Sequence, residues 1–325
     1  MKWYTHGYHT PLSLRIVFAA IPRIPKFVHP AIALVTAALF FALLTAERRA
    51  VLRNLRVITG RTGWSLSWAA YRVFYNFCDL MVSYCYVPQA SPAALCALLS
   101  DPDRGAATID ACLAEGGGVV VWTAHVGNWE FASRLLELHG RRVNVARVVE
   151  PGNRAEMRLR DLMTNDRLSA VDLSDPASTV RLLAALRAGE IVAMQGDRVY
   201  RGKGIVVPFF GRPTLFPAGP FVLAHVAGVP VIPGLVVRTG WLRYKMLVGQ
   251  PVTLAPAEPR DAAVDQAMKT CVVFLERYLE HWPSQWLNFF DFWPASTPAG
   301  EVRAASVAPH RLSGPESCQD PRQLP

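Results

Sequence analysis

The chain has 325 residues, which is enough for one large α/β domain or two small ones. Hydrophobic residues make up 51 % of it, the mean hydropathy is +0.19 and the formal net charge is +9. This combination suits an anionic membrane surface, whereas the lack of a Lys/Arg-rich run or zinc-finger pattern argues against a nucleic-acid partner. The six cysteines form no CxxC pair and have no histidine cluster beside them. Neither a metal ion nor a disulfide framework is therefore expected, and since no P-loop or dinucleotide fingerprint is present, no cofactor is expected either.

The first sixty residues differ in composition from the rest. Residues 31–46 form an uncharged apolar run that ends at Glu47-Arg48-Arg49. The run is shorter than the roughly 20 residues that a spanning helix needs, and its late start disfavours a cleaved signal peptide. An interfacial anchor, a true span and a buried core helix remain open. We predict a membrane-anchor and basic helical segment over residues 1–60, in which Arg49, Arg53 and Arg56 share a helical face that meets either solvent or lipid phosphates.

From residue 116 onward, apolar runs of strand length alternate with helical patterns. Strands are predicted at 119–123, 143–148, 170–173, 191–195, 206–210, 231–237 and 244–248. Helices are predicted at 129–139, 154–164, 176–188, 217–227 and 261–281. Alternating strands and helices predict an α/β domain with a mostly parallel central sheet flanked by helices, over residues 61–294. Residues 295–325 are rich in Pro, Ser and Ala, which predicts a disordered tail.

A histidine follows the first of these strands and a carboxylate comes five residues later. The segment reads Thr123-Ala-His125-Val-Gly127-Asn128-Trp129-Glu130. On one continuous helix the two side chains would point well apart, so they can meet only if the chain bends at Gly127-Asn128. Sites in parallel sheets lie at the carboxyl ends of strands. The pattern therefore indicates a general base, His125, whose imidazole is oriented by Glu130.

The segment His125-Val-Gly127-Asn128-Trp129-Glu130 resembles the signature of the lipid A late acyltransferases, a branch of the lysophospholipid acyltransferase superfamily. Further blocks of the chain resemble that family in the same order: Gln195-Gly-Asp197-Arg198, Lys203-Gly204, Val207-Pro-Phe-Phe-Gly211, Gly228-Val-Pro230-Val-Ile-Pro233 and Pro283-Ser-Gln285-Trp286. The resemblance covers roughly residues 10–294. It implies a glycerolipid acyltransferase-like α/β fold with an N-terminal apolar helical membrane anchor.

The resemblance also implies an activity and a location. The chain is expected to move a fatty acyl group from an acyl carrier protein or coenzyme A thioester to a hydroxyl of a lipid A precursor or similar anionic glycolipid. This reaction is expected at the cytoplasmic face of a bacterial inner membrane. Acceptors that are phospholipids, polyenes or amino-acid lipids remain open, as do an ester or thioester hydrolase and a non-catalytic lipid-binding relative.

Substrate-binding residues are predicted beside the base. Backbone N–H groups near Gly127 and Asn128, or the Asn128 amide, are candidates to stabilise an oxyanion. Trp129 is a candidate to line an apolar slot. By resemblance, Asp197 and Arg198 belong to the acceptor site or the active-site wall. Arg198 and Lys203 form either a phosphate-binding group or a solvated hairpin tip, and Arg147 is either a phosphate ligand or a structural ion-pair partner.

Overall fold

A six-stranded sheet lies at the centre of the computed structural model, which describes residues 20–101, 105–148, 164–199, 204–254 and 259–293. Its strands, in chain order, are β1 (Val119–Thr123), β2 (Val143–Arg147), β3 (Leu168–Asp172), β4 (Ile191–Gln195), β7 (Val231–Gly240) and β8 (Arg243–Val248). Their spatial order is β3-β2-β4-β1-β7-β8, and every neighbouring pair is parallel except β7 and β8. The predicted α/β fold with a mostly parallel sheet is confirmed.

The helices flank this sheet and precede it. Their bounds are α1 (His29–Leu43), α2 (Thr45–Thr59), α3 (Gly63–Ser83), α4 (Pro92–Ala97), α5 (Ala106–Ala114), α6 (Trp129–Leu136), α7 (Ser178–Arg187), α8 (Gly219–Ala227) and α9 (Arg260–His281). Short 3-10 helices lie at Ile21–Arg23, Val87–Gln89, Glu137–His139 and Pro283–Gln285.

Side-chain alternation along β1 decides which layer each residue joins. Val119 and Val121 pack with α5 and the end of α6, whereas Val120 and Trp122 pack with α7, α8 and α9 on the opposite face. Strand residues alternate between the two faces of a sheet, and a central parallel strand is buried on both. The same alternation continues past the strand, because Ala124 and Val126 also join the α9 layer. His125 is thereby directed to the α6 face.

The N-terminal helices form their own packed layer around α3, which also contacts β7 and β8. Helix α2 buries one face and leaves Arg49, Arg53 and Arg56 exposed; the buried residues are Ala50, Val51, Asn54, Leu55 and Ile58. It ends at Gly60, whose φ of +65° closes the helix in the left-handed conformation that favours glycine.

The predicted membrane anchor corresponds to α1. Among the described residues, no helix taken singly has the length and apolarity to cross a membrane. Helices α1 and α2 meet that test only as a pair, and they are bent by 97° where they join.

A second, two-stranded sheet was only half predicted. Strand β5 (Ile205–Phe209) corresponds to the predicted strand 206–210, but it pairs with an unpredicted β6 (Arg212–Phe216) instead of joining the main sheet. Pro213 weakens the strand pattern of β6. The connecting residues Phe210 and Gly211 both have positive φ, as a two-residue hairpin requires. The predicted tail over 295–325 and nearly all of the predicted helix 154–164 lie outside the described residues.

Candidate active site

His125 is paired with Asp197 across two adjacent parallel strands. Strands β1 and β4 place Thr123 opposite Gln195, and each functional residue lies two positions beyond that pair. The His125 Nδ1 atom lies 2.7 Å from Asp197 Oδ1, and the His125 backbone N–H donates to Oδ2 at 3.1 Å. The Asp197 side chain is fully buried and that of His125 is 14 % exposed. The imidazole therefore has a fixed orientation.

The prediction that Glu130 holds the imidazole is wrong. Glu130 begins α6, as expected, but its carboxylate accepts hydrogen bonds from Tyr84 at 2.8 Å, from Trp129 at 3.1 Å and from Arg147 at 2.6 Å. The first turn of α6 carries this side chain toward α3 and the end of β2, where three donors satisfy it. The Glu130 side chain is 2 % exposed, so its pair with Arg147 is a buried ion pair.

The predicted bend between His125 and α6 is present and requires a glycine. Gly127 has a φ of +62°, and a Cβ atom there would lie 2.0 Å from the carbonyl oxygen of Val236. Asn128 follows as the N-cap of helix α6, which starts at Trp129. The Asn128 side-chain oxygen accepts from the Phe131 N–H at 2.9 Å. The chain therefore passes directly from the base into a capped helix against β7.

The oxyanion donors predicted in this turn are engaged elsewhere. The N–H of Gly127 donates to the carbonyl of Gln285, and the N–H of Asn128 donates to the carbonyl of Val236, both at 2.8 Å. The side-chain nitrogen of Asn128 donates to the Ser83 hydroxyl at 2.9 Å. These hydrogen bonds fix the turn between β1 and α6.

The Pro283–Leu287 segment holds both members of the pair. The Leu287 N–H donates to the His125 carbonyl at 2.8 Å, and Trp286 Nε1 donates to Asp197 Oδ2 at 2.9 Å. The Gln285 side chain is itself anchored, because it accepts from the Arg238 N–H and donates to the Arg238 carbonyl, both at 2.7 Å. The sequence contained the Pro283-Ser-Gln285-Trp286 motif, but its role depends on these long-range contacts.

Electrostatics favour a neutral imidazole beside an ionised carboxylate. Burial lowers the pKa of His125 below its ordinary value, and Arg198 acts in the same direction against the opposing effect of Asp197. Burial by itself would raise the pKa of Asp197, but His125, Arg198 and the Trp286 N–H together hold it well below the usual range. The Nδ1–H then donates to Asp197, which leaves the lone pair of Nε2 to accept a proton.

The predicted phosphate-binding residues Arg198 and Lys203 remain to be placed. Arg198 donates to Asn288 Oδ1 at 2.9 Å and to the Leu287 carbonyl at 2.8 Å, so these two donors hold the segment that supports the pair. Burial lowers the pKa of this guanidinium to about 10. Lys203 lies outside the described residues. The proposed contacts of Arg198 and Lys203 with phosphate stay predictions.

A cavity lies between α6 and the sheet, next to His125. Its empty space is about 620 Å³, including the part open to solvent. Trp129 lines it, and the Trp129 ring lies 5.2 Å from the imidazole. The other lining residues come from α5, α6 and five strands: Ile109, Val121, Thr123, Ala132, Ser133, Leu136, Val145, Arg147, Ala193, Gln195, Gly234, Leu235, Val236 and Met246. The walls are mainly apolar, and Arg147, Gln195 and Thr123 end the strands that form its floor.

The described residues contain no group of three His, Cys, Asp or Glu side chains that could hold a metal ion. The chemistry available to the described site is that of a buried His–Asp pair: proton transfer at Nε2 beside a mainly apolar cavity.

The chain matches a known family over most of its length. A family model described as bacterial lipid A biosynthesis acyltransferase matches residues 8–294. Two curated relatives are the phosphatidylinositol mannoside acyltransferases of Mycobacterium tuberculosis strains CDC 1551 / Oshkosh and ATCC 25618 / H37Rv, each 33 % identical over 129 residues. That match covers 38 % of this chain and 40 % of each relative, so it spans less than half the length of the relatives.

Proposed function

The chain belongs to the bacterial lipid A biosynthesis acyltransferase family and is an acyltransferase; we propose that it moves a fatty acyl group from a thioester to a hydroxyl of an anionic glycolipid, with His125 as general base. The observation that carries this proposal is the buried His125–Asp197 pair, at 2.7 Å, beside a mainly apolar cavity.

The reaction follows from the free ring nitrogen of His125. As the acceptor hydroxyl oxygen attacks the thioester carbonyl carbon, Nε2 takes the hydroxyl proton and a C–O bond forms. The carbonyl electrons move onto oxygen, and Asp197 stabilises the imidazolium. When the intermediate collapses, the C–S bond breaks and the proton passes from His125 to the leaving thiolate. The acceptor hydroxyl is the nucleophile, so no acyl-enzyme is required.

The cavity under α6 is the proposed site of the acyl chain. Its apolar walls match a hydrocarbon chain, and burial of each CH₂ contributes about 0.8 kcal/mol. Trp129 links it to the base through the ring contact at 5.2 Å. The Phe209 ring is not available to line such a slot, because it is fully buried in an aromatic cluster with Trp286 and Trp293.

An anionic glycolipid is the proposed acceptor, and either acyl carrier protein or coenzyme A carries the acyl group. The relatives' name specifies a phosphatidylinositol mannoside, which is a phosphate-bearing glycolipid, and a net charge of +9 favours anionic partners. Arg147, at the cavity, is a candidate to contact the polar part of a substrate. A lipid A precursor fits the same chemistry. The acidic acyl carrier protein would be attracted by the basic surface.

We also propose that the protein lies on a membrane, at the cytoplasmic face of the bacterial inner membrane. Large hydrophobic side chains are exposed together on α1 and at the start of α3: Leu34, Val35, Leu39, Leu43, Trp64 and Trp68, with Phe27 just before α1. The Tyr71 hydroxyl donates to the Leu34 carbonyl, and Trp68 stacks on Tyr71, so the two helices present one patch. Apolar side chains beside exposed arginines of α2 are what an interfacial protein presents to anionic lipid.

A transfer assay tests the reaction. Purified protein is incubated with acyl carrier protein or coenzyme A thioesters, with and without an anionic glycolipid, and the products are identified by mass spectrometry. We expect an acylated glycolipid that disappears in His125→Ala while the circular dichroism spectrum is unchanged. A hydrolase would release free fatty acid at the same rate without acceptor. Full transfer by His125→Ala would rule out the proposed base.

Vesicle flotation tests the membrane proposal. Leu39→Glu with Leu43→Glu should reduce flotation with anionic phospholipid vesicles by about tenfold or more, because two negative charges replace exposed apolar side chains that are proposed to enter the lipid. Val180→Glu is the matched control, since Val180 is 69 % exposed on α7, away from the patch. Equal flotation of the double variant and wild type would contradict the proposal.

A further inference from the structure

The side chains on the floor of the cavity change from apolar to polar along the strands. The polar ones lie two residues before His125 on β1 and two residues before Asp197 on β4. In the lower row, the register places Val121, Ala193 and Val145 side by side on β1, β4 and β2. In the upper row, Thr123 lies opposite Gln195, and Arg147 ends β2 next to them. All six residues line the cavity. A chain lying on the lower row would present its polar end at the upper row.

Gln195 has a donor that the described part of the chain leaves unused. Its side-chain nitrogen is buried and has no hydrogen-bond partner among the described residues. Leaving a buried donor unsatisfied destabilises a folded protein, so such a donor is suited to a ligand that supplies the acceptor. In the turn that carries the base, the N–H groups of Gly127 and Asn128 donate to carbonyls and that of His125 donates to Asp197. Gln195 lines the cavity, so its side chain offers a buried amide donor to a ligand bound there.

The register of β1 and β4 places Gln195 close to the His125–Asp197 pair. It lies two residues before Asp197 on the same strand end, and it is paired with Thr123, two residues before His125. An acyl carbonyl at the mouth of the cavity would have Nε2 of His125 on the side of the attacking hydroxyl. Its oxygen would lie at the level of the polar row.

We infer that the side-chain amide of Gln195 donates a hydrogen bond to the carbonyl oxygen of the bound acyl thioester and to the oxyanion that forms on it; this inference rests on the proposed acyl transfer. The bond strengthens as the attacking oxygen adds to the carbonyl carbon and negative charge develops on the carbonyl oxygen. It weakens again when the C–S bond breaks and the carbonyl reforms. Gln195 neither gains nor loses a proton in this cycle.

The test compares Gln195→Met, which keeps the shape and removes the donor, with Gln195→Glu, which replaces the donor by an acceptor. We expect kcat to fall about 10²–10³-fold in Gln195→Met, with little change in KM for the thioester, as for loss of one oxyanion donor. The fall in Gln195→Glu should be at least as large. The melting temperature of Gln195→Met should stay equal or rise, because an unsatisfied buried donor has been removed. The exposed Gln266→Met is the control for the substitution itself.

Two results would overturn the inference. Gln195→Met with a kcat within threefold of wild type would show that the amide does not stabilise the transition state. A fall in kcat that matches a fall in melting temperature in both variants would assign Gln195 a purely structural role. His125→Ala in the same assay separates the two proposals: if it is inactive while Gln195→Met is fully active, acyl transfer stands and only the role of Gln195 fails.

Discussion

The carboxylate of Asp197, and not that of Glu130, is hydrogen-bonded to His125, with 2.7 Å between Oδ1 and Nδ1. Glu130 is instead part of a buried cluster with Tyr84, Trp129 and Arg147. The two carboxylates near the base thus have different tasks. One orients the imidazole, and the other fixes α6 and Arg147 at the cavity.

Two conservative variants should therefore differ in which quantity they change: one should mainly lower kcat and the other should mainly lower the free energy of unfolding. Asp197→Asn should lower kcat by about 10³–10⁴-fold, because the imidazole loses the partner that sets its tautomer. Glu130→Gln keeps an acceptor for Tyr84 and Trp129 but removes the negative charge from the ion pair with Arg147. We expect it to lower the free energy of unfolding by about 3 kcal/mol, with kcat of the folded protein reduced less than tenfold. Urea unfolding and steady-state rates measured on both variants check this.

The reverse outcome would restore the role that the sequence suggested. If Glu130→Gln lost as much kcat as Asp197→Asn at unchanged stability, the carboxylate of Glu130 would act in catalysis. Activity and unfolding have to be measured on the same preparations, so that loss of folded protein is not counted as loss of rate.

The pH dependence of kcat/KM follows from the lowered pKa of His125. The base accepts a proton only when it is neutral, so activity falls as the pH drops through its pKa. Burial lowers that pKa, which places the midpoint of the acidic limb below about 6.5, the ordinary value for histidine. Above this midpoint the rate should be flat through neutral pH. A midpoint above 7 would show that the imidazole is mostly charged at neutral pH in the folded protein, which would contradict the lowered pKa.

Asp197→Asn should also shift the midpoint of the acidic limb of the kcat/KM profile. The negative charge of Asp197 raises the pKa of His125 against the effect of burial. Its removal should therefore shift the midpoint further toward acid, even as the maximal rate falls. A shift toward higher pH would contradict the assignment of the pair. Histidine NMR titration of the two proteins gives the same quantity without an assay.

Much of the fold and part of the site could be predicted from the sequence, for identifiable reasons. Strands β1 and β4 were predicted with their observed bounds, because each is a short apolar run between polar segments. The placement of both His125 and Asp197 just beyond a strand end was also visible. Their pairing was not, because it depends on β4 lying next to β1 in the sheet, and local patterns do not specify strand order.

The sequence pattern predicts Glu130 as the partner of His125 because the two residues are close together in the chain. Its long-range partners are Tyr84, directly after α3, and Arg147, at the end of β2, and no local pattern brings these elements together. The available signal was that Asp197 occupies the same position after β4 that His125 occupies after β1. Neighbouring parallel strands with polar residues at equivalent positions are a better guide to a site than sequence separation.

Gly127→Ala tests the turn that carries the base, with Gly116→Ala as its matched control. Both glycines have positive φ, so each substitution strains the backbone by about 1–2 kcal/mol. A Cβ atom at Gly127 would also lie 2.0 Å from the Val236 carbonyl, whereas nothing lies within 4 Å of one at Gly116. Gly127→Ala should therefore cost at least about 2 kcal/mol more in thermal unfolding, and it should impair transfer. Equal losses of stability would mean that the turn adjusts freely.

Gly234→Leu tests whether the cavity sets the length of the acyl chain. Gly234 lines the cavity on β7, and a Cβ atom there would meet only ordinary contacts, at 3.7 Å from the Leu247 carbonyl and 3.9 Å from Val121. A leucine can thus be added without a backbone clash, and its side chain would occupy space proposed for the hydrocarbon. In competition between thioesters of different length, kcat/KM should shift toward shorter chains by about tenfold, since each CH₂ excluded forfeits about 0.8 kcal/mol. Gly240→Leu, on the same strand but not lining the cavity, should leave the preference unchanged. An unaltered preference in Gly234→Leu would move the acyl chain to another surface.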